Sequence, residues 1–160
     1  MRMNKSTWKT YLFYILLSEG VGILSGLLSM DMMRAFSQTA LQPSFSPPPV
    51  VFPIVWTVLY ALMGIGMARV QLYGSLPGKA EAGNLFLIQL ILNFFWPLVF
   101  FNAQAYGIAL AFLGVLWILV LRMLISFRSQ DLLAGKLQIP YLLWLSFAAI
   151  LNEQVWQLNR

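Results

Sequence analysis

Three sets of residues in this chain have types and spacings that could do chemistry. Phe52, Trp56 and Tyr60 stand at i, i+4 and i+8. Gln89, Asn93, Trp96 and Phe100 stand at i, i+4, i+7 and i+11, and Tyr141, Trp144, Ala148 and Asn152 at i, i+3, i+7 and i+11. Each set falls on one face of a helix. An aromatic stripe fed by a stiff loop could form a ligand site. The same pattern also describes aromatics packing a core, and the spacing alone leaves both readings open. The chain has no histidine and no cysteine. That removes disulfides, thiolate nucleophiles, Ser-His-Asp and Cys-His catalysis, and the usual zinc and copper sites, so no metal site is expected.

The elements that must position these faces are membrane helices. Of 160 residues, 60% are hydrophobic and only 9% are charged, far below a soluble domain. The composition predicts an all-α integral membrane protein forming one domain over residues 1–160. The expected spans are residues 10–30, 50–71, 84–102, 107–127 and 137–157. The connection from Asp31 to Pro49 is expected to be the longest, with a short amphipathic piece over Asp31 to Phe36. Its second half, with Pro43, Pro47, Pro48 and Pro49, cannot be a helix interior. It reads as a stiff loop feeding a helix that starts near Pro53. Pro77-Gly78 signals a turn, and Pro97 is expected to kink the third span by freeing the carbonyl near Asn93.

Two polar features need partners. Glu19 sits near the middle of the first span, where a carboxylate costs roughly 2.5–3.5 kcal/mol on insertion scales. It is either a proton or ligand contact, or a neutral side chain bonded to a neighbouring helix or lining a wet pocket. Gln89 and Asn93 facing lipid would be expensive, so their face should look into the bundle.

The net charge of +5 does not point to nucleic acid, because the basic residues sit singly at segment ends. Arg2, Lys5, Lys9, Arg69, Lys79, Arg122, Arg128 and Lys136 fall on one side of a five-span topology, and Arg34 and Arg160 on the other. That asymmetry predicts a cytoplasmic N-terminus with the proline loop on the opposite face, in an inner-membrane type of insertion. An outer membrane would weaken the rule.

These residues also carry a resemblance. Pro43-Ser44-Phe45-Ser46-Pro47-Pro48, then Phe52-Pro53-Ile54-Val55-Trp56-Thr57-Val58-Leu59-Tyr60, resembles the first loop and second helix of the TspO/MBR family. These are the tryptophan-rich sensory proteins, also called translocator proteins or peripheral-type benzodiazepine receptors. Leu92-Asn93-Phe94-Phe95-Trp96-Pro97-Leu98-Val99-Phe100-Phe101 resembles the third-helix motif, and Pro140-Tyr141-Leu142-Leu143-Trp144 with Phe147-Ala148 and Leu151-Asn152 the fifth. Three motifs, in order and at matching spacing, cover nearly the whole chain.

The resemblance implies five transmembrane helices around a pocket, with the proline-rich first loop as its lid. It implies binding of porphyrins, haem-like tetrapyrroles and benzodiazepine-site ligands, possible transport of such ligands, and a homodimer in a bacterial cell membrane. No cofactor is required, since porphyrin or haem is the ligand. By position the pocket residues are Pro47, Trp56, Tyr60, Asn93, Trp96, Trp144 and Ala148. Gln89 and Tyr141 join them from the inward faces. The resemblance also offers an alternative: light- and oxygen-dependent porphyrin degradation with Trp56 and Trp144 as the catalytic candidates, the pigment carrying the chemistry.

The chain departs from the family at Phe36-Ser37, where Trp-Tyr is common, and at Phe45, where Trp is usual; both losses are expected to weaken lid contacts. Leu151 to Arg160 contains no Tyr, so the sterol-type pattern is absent there.

Overall fold

A backbone surrounded by lipid must satisfy its own hydrogen bonds, so long apolar segments fold as helices. The computed structural model describes residues 5–160; Arg2, part of the basic N-terminal group, lies outside them. The helices are α1 (Lys5–Thr39), α2 (Val51–Tyr73), α3 (Leu76–Pro97), α4 (Tyr106–Gln130), α5 (Leu132–Lys136) and α6 (Ile139–Leu158), with a π-helical turn at Leu98–Asn102 continuing α3. No strand occurs among the described residues. Five segments are long and apolar enough to cross a membrane, the fifth formed by α5 and α6 together. The protein is a multi-pass integral membrane protein.

The boundaries differ most from the sequence expectation at two connections. The stretch from Asp31 onward is not a loop: α1 runs through it to Thr39. No proline or glycine interrupts residues 27–41, and the Ser37 and Thr39 hydroxyls donate back to the carbonyls of Arg34 (2.7 Å) and Ala35 (2.9 Å). The helix stops just before Pro43, which disfavours helical geometry in the residue preceding it. Likewise, Pro77-Gly78 is the first turn of α3 rather than a loop. Ser75 caps that helix by accepting from the Gly78 amide, and a proline is tolerated there because its missing N–H would be unpaired anyway.

The end of the bundle holding Arg69 and Asp131 is densely packed. Gly64 lets α1 and α2 touch backbone to backbone: a Cβ there would lie 2.6 Å from Ile15 Cα and from the Tyr14 carbonyl oxygen. Ser18 Oγ donates to the Tyr60 carbonyl at 2.8 Å, tying the same pair of helices one turn further along. Met63, Met67, Phe86, Met123, Phe127 and Leu145 fill the centre. Arg69 makes a two-pronged pair with Asp131, Nε to Oδ1 at 2.7 Å and Nη2 to Oδ2 at 2.8 Å. Asp131 Oδ1 also accepts from the Ala134 amide at 2.7 Å, capping α5. The Arg69 guanidinium is the main reason that the Asp131 carboxyl is held below the usual carboxylate range; partial burial opposes this and the Ala134 amide assists it.

Beyond Tyr60 the helices separate. Side chains bridge α2 to α6, with Trp56 edge-on to Tyr141 (6.1 Å between centroids) and Phe52 edge-on to Trp144 (5.9 Å). Pro97 supplies no N–H to the Asn93 carbonyl, and the chain then winds into the π turn, closed by the Ala103 amide on the Leu98 carbonyl at 2.9 Å. The wider turn brings both Phe100 and Phe101 against Phe36 of α1, each at 5.3 Å. Phe36 is therefore a helical packing residue rather than part of a loop.

Candidate functional site

Where the helices separate they enclose a cavity of about 720 Å³, within the roughly 300–1,000 Å³ of small-molecule sites. Its aromatic walls come from Phe36 on α1, Phe52, Trp56 and Tyr60 on α2, Trp96 with Phe100 and Phe101 on α3 and its π turn, and Trp144 on α6. Trp56 lies tilted over Tyr60 at 5.6 Å, and Trp96 stacks on Phe100 at 5.0 Å and 27°. Trp96 Nε1 donates to the Ala109 carbonyl at 3.2 Å, which fixes its plane against α4. Ala148 keeps α6 thin beside Trp144, so its small side chain leaves room in the wall.

The 40–50 segment borders the mouth through Gln42, Ser46, Pro47 and Pro49. It is pinned at its start by Asn159, beyond α6, in a two-point clamp. The Leu41 amide donates to Asn159 Oδ1 (3.0 Å), and Asn159 Nδ2 donates to the Leu41 carbonyl (2.8 Å). Two tight turns, Ser46 amide to Pro43 carbonyl (3.0 Å) and Val51 amide to Pro48 carbonyl (2.9 Å), stiffen the rest.

Of the residues selected from sequence, Pro47, Trp56, Tyr60, Asn93, Trp96, Trp144 and Ala148 line this cavity. Gln89 and Tyr141 do not: both are fully buried one layer behind the wall. Asn93 Nδ2 donates to the Tyr141 hydroxyl at 2.9 Å, and that hydroxyl donates to Gln89 Oε1 at 2.9 Å. This relay fixes how Asn93 presents itself to the cavity, so Gln89 and Tyr141 orient a wall residue instead of forming one. Phe52 and Asn152 belong to the wall as well, and the helical spacing had already put each on an inward face. Asn152 Nδ2 donates to the Tyr106 carbonyl at 2.8 Å. Its Oδ1 and the indole nitrogen of Trp144 are buried with no hydrogen-bond partner among the described residues. Both residues line the cavity, so an unpaired acceptor and an unpaired donor lie buried in the same wall.

Against known sequences, the model of the TspO/MBR family matches residues 14–157. The chain belongs to the TspO/MBR family. It is 35% identical to the tryptophan-rich protein TspO of Chlorobaculum tepidum, over 98% of this chain and 99% of that protein. It is 32% identical to the tryptophan-rich sensory protein of Cereibacter sphaeroides, covering 95% and 92%. The similarity extends to the human translocator protein, at 36% identity over 74% of this chain and 71% of the human one. In this TspO/MBR chain the motifs of the second, third and fifth spans converge on the single cavity described above. No group of three or more acidic, His or Cys side chains that could hold a metal occurs among the described residues.

Proposed function

We propose that this TspO/MBR protein is a membrane receptor for porphyrins, haem-like tetrapyrroles and other flat hydrophobic ligands, and that it passes them across or out of the bilayer. The observation that carries the reading is the aromatic cavity of about 720 Å³, with indole rings from α2, α3 and α6 on its walls. Stacking on those rings holds a macrocycle, while Asn93, Asn152 and the Trp144 indole N–H bond its polar groups. The 40–50 loop acts as the lid. The ligand is cargo rather than a resident cofactor. Membership of a family that includes translocator proteins supports the transport side of the reading. The basic asymmetry supports a cytoplasmic N-terminus, and a bacterial cell membrane and a homodimer complete the proposal.

A second reading follows from the same two indoles. Trp56 and Trp144 both line the cavity, so each would abut a bound pigment. Under illumination dioxygen is the oxidant and the bound porphyrin the reductant that is consumed, with an adjacent indole as the electron or radical relay between them. One experiment separates the two. Protoporphyrin IX is titrated in the dark by tryptophan quenching, with Trp56→Phe and Trp144→Phe alongside, and the same samples are then illuminated. Saturable binding weakened by either change supports the receptor. Pigment loss that needs light and dioxygen, and that stops in Trp56→Phe or Trp144→Phe while that variant still binds, supports the enzyme. Absence of saturable binding to the wild type sinks both.

A further inference from the structure

Two of the residues that line the cavity carry charge, and they stand at its opposite ends. Glu19, Gly22, Ile23, Gly26, Met30 and Arg34 lie along one face of α1, at i, i+3, i+4, i+7, i+11 and i+15. At the rise of an α-helix, Glu19 and Arg34 are separated by roughly 22 Å along the axis. Arg34 is at the loop end, 69% exposed and only loosely paired with the exposed Asp31 at 3.9 Å. Glu19 is at the floor, half-buried, with no hydrogen bond or ion pair among the described residues. One turn on, Gly22 lets the Tyr60 ring lie against α1, since any Cβ there would overlap the ring. Tyr60, Thr57 and Asn93 are the polar side chains that share this part of the wall. None of them is a cation.

A carboxylate without a cation at that depth is costly, and the cost falls when a cation or a strong N–H donor arrives with the ligand. The ring walls accept any flat apolar body; the floor does not accept any end. From this we infer that Glu19 selects the ligand: the cavity takes aromatic amphiphiles that carry a protonated amine or an N–H group, inserted with that nitrogen leading towards the floor. A ligand bearing carboxylates is turned the other way, acid edge towards Arg34 and the loop. The inference rests on the cavity being a ligand site, as proposed above, and adds the chemical class that its floor prefers. Glu19 lies outside the motifs that carry the family resemblance.

The test uses three probes with one ring system: 1-pyrenemethylamine, 1-pyrenemethanol and 1-pyrenecarboxylic acid. Each is titrated into full-length protein in nanodiscs of zwitterionic lipid, read by energy transfer from tryptophan, with empty nanodiscs as the partition reference. The wild type should bind the amine about tenfold more tightly than the alcohol, equivalent to about 1.4 kcal/mol, and the acid most weakly. Glu19→Gln should bring the amine-to-alcohol ratio to about one, and Glu19→Asp should keep most of the preference. An unchanged ratio in Glu19→Gln overturns the inference. So does an equal loss of all three probes, which would make Glu19 a structural residue, and so does a wild type that binds none of them. Protoporphyrin IX titrated on the same samples reads the receptor proposal separately. Retained amine preference without porphyrin binding would sink that proposal and leave the selectivity of Glu19 standing.

Discussion

The two ends of the bundle are built from the same helices by opposite rules. At the Arg69–Asp131 end, Gly64 brings α1 and α2 into backbone contact and buried methionines and phenylalanines fill the remaining space. At the loop end, indoles and phenyl rings keep the helices apart and leave about 720 Å³ between them. Close packing is where the stability resides, because dense contacts are what a bundle in lipid has in place of a hydrophobic drive. The hollow end is held open by rigid rings. The division predicts that changes at the packed end cost folding and changes at the hollow end cost binding.

The largest effect should come from Gly64→Val. The groups that the new side chain meets are backbone atoms of α1, which cannot rotate away, so the cost should reach about 3 kcal/mol, the upper end for overpacking. Gly26→Val is the matching change on the cavity face of the same pair of helices, where a Cβ meets nothing within 4 Å. It should leave the thermal midpoint in detergent nearly unchanged and weaken porphyrin binding by occupying the cavity. Equal destabilisation by the two substitutions would erase the distinction between the ends.

Tyr141→Phe tests the boundary. Its hydroxyl joins Asn93 to Gln89, and removal strands a buried amide donor and a buried acceptor at a cost of about 2 kcal/mol. Because Asn93 also faces the cavity, both the thermal midpoint and the porphyrin affinity should fall. A loss of stability without any loss of affinity would show that the orientation of Asn93 does not matter to the ligand.

How much of this the sequence discloses depends on what sets each feature. Helical spacing put Trp56, Trp96, Trp144 and Asn152 on inward faces, because a membrane bundle has few other places for polar or amphipathic side chains. Spacing could not separate Asn93, in the wall, from Gln89, one turn away and one layer deeper. That depth is set by where Tyr141 of another helix reaches in. The extension of α1 to Thr39 was hidden by polarity: Asp31, Arg34 and Ser37 look like loop residues, yet none of them stops a helix. Glu19 stood out by its charge alone. Its place in the cavity wall follows from how α1 turns beyond Gly22, which only the packing with Tyr60 decides.

Trp144→Phe should reverse the pattern of Gly64→Val. The indole nitrogen has no partner to lose, so stability should drop by less than about 1 kcal/mol. Porphyrin affinity should fall about tenfold, or ~1.4 kcal/mol, through loss of ring area and of a donor to the ligand. Dark titration and a thermal scan on one preparation read both quantities. A large stability loss with unchanged affinity would move Trp144 from the wall of a site into the core.

The smallest expected effect is one of pH, and it belongs to the packed end. Asp131 has its carboxyl pKa lowered in the folded protein, chiefly by the hydrogen bonds from Arg69. A depressed carboxyl pKa contributes stability that is fully present above the unfolded value of about 3.9. The contribution is lost as pH falls from there through the folded value. The thermal midpoint should therefore be level from neutral pH down to about 5 as far as this pair is concerned, and fall below about 4. In Asp131→Asn the fall should be shallower and start from a lower plateau, since Asn cannot make the two-pronged ionic pair. Affinity for an uncharged ligand should not follow this transition, because the pair lies at the end of the bundle away from the cavity. If acid instead weakened binding in step with unfolding in both proteins, the two ends would be one cooperative unit, and the division of labour between them would be wrong.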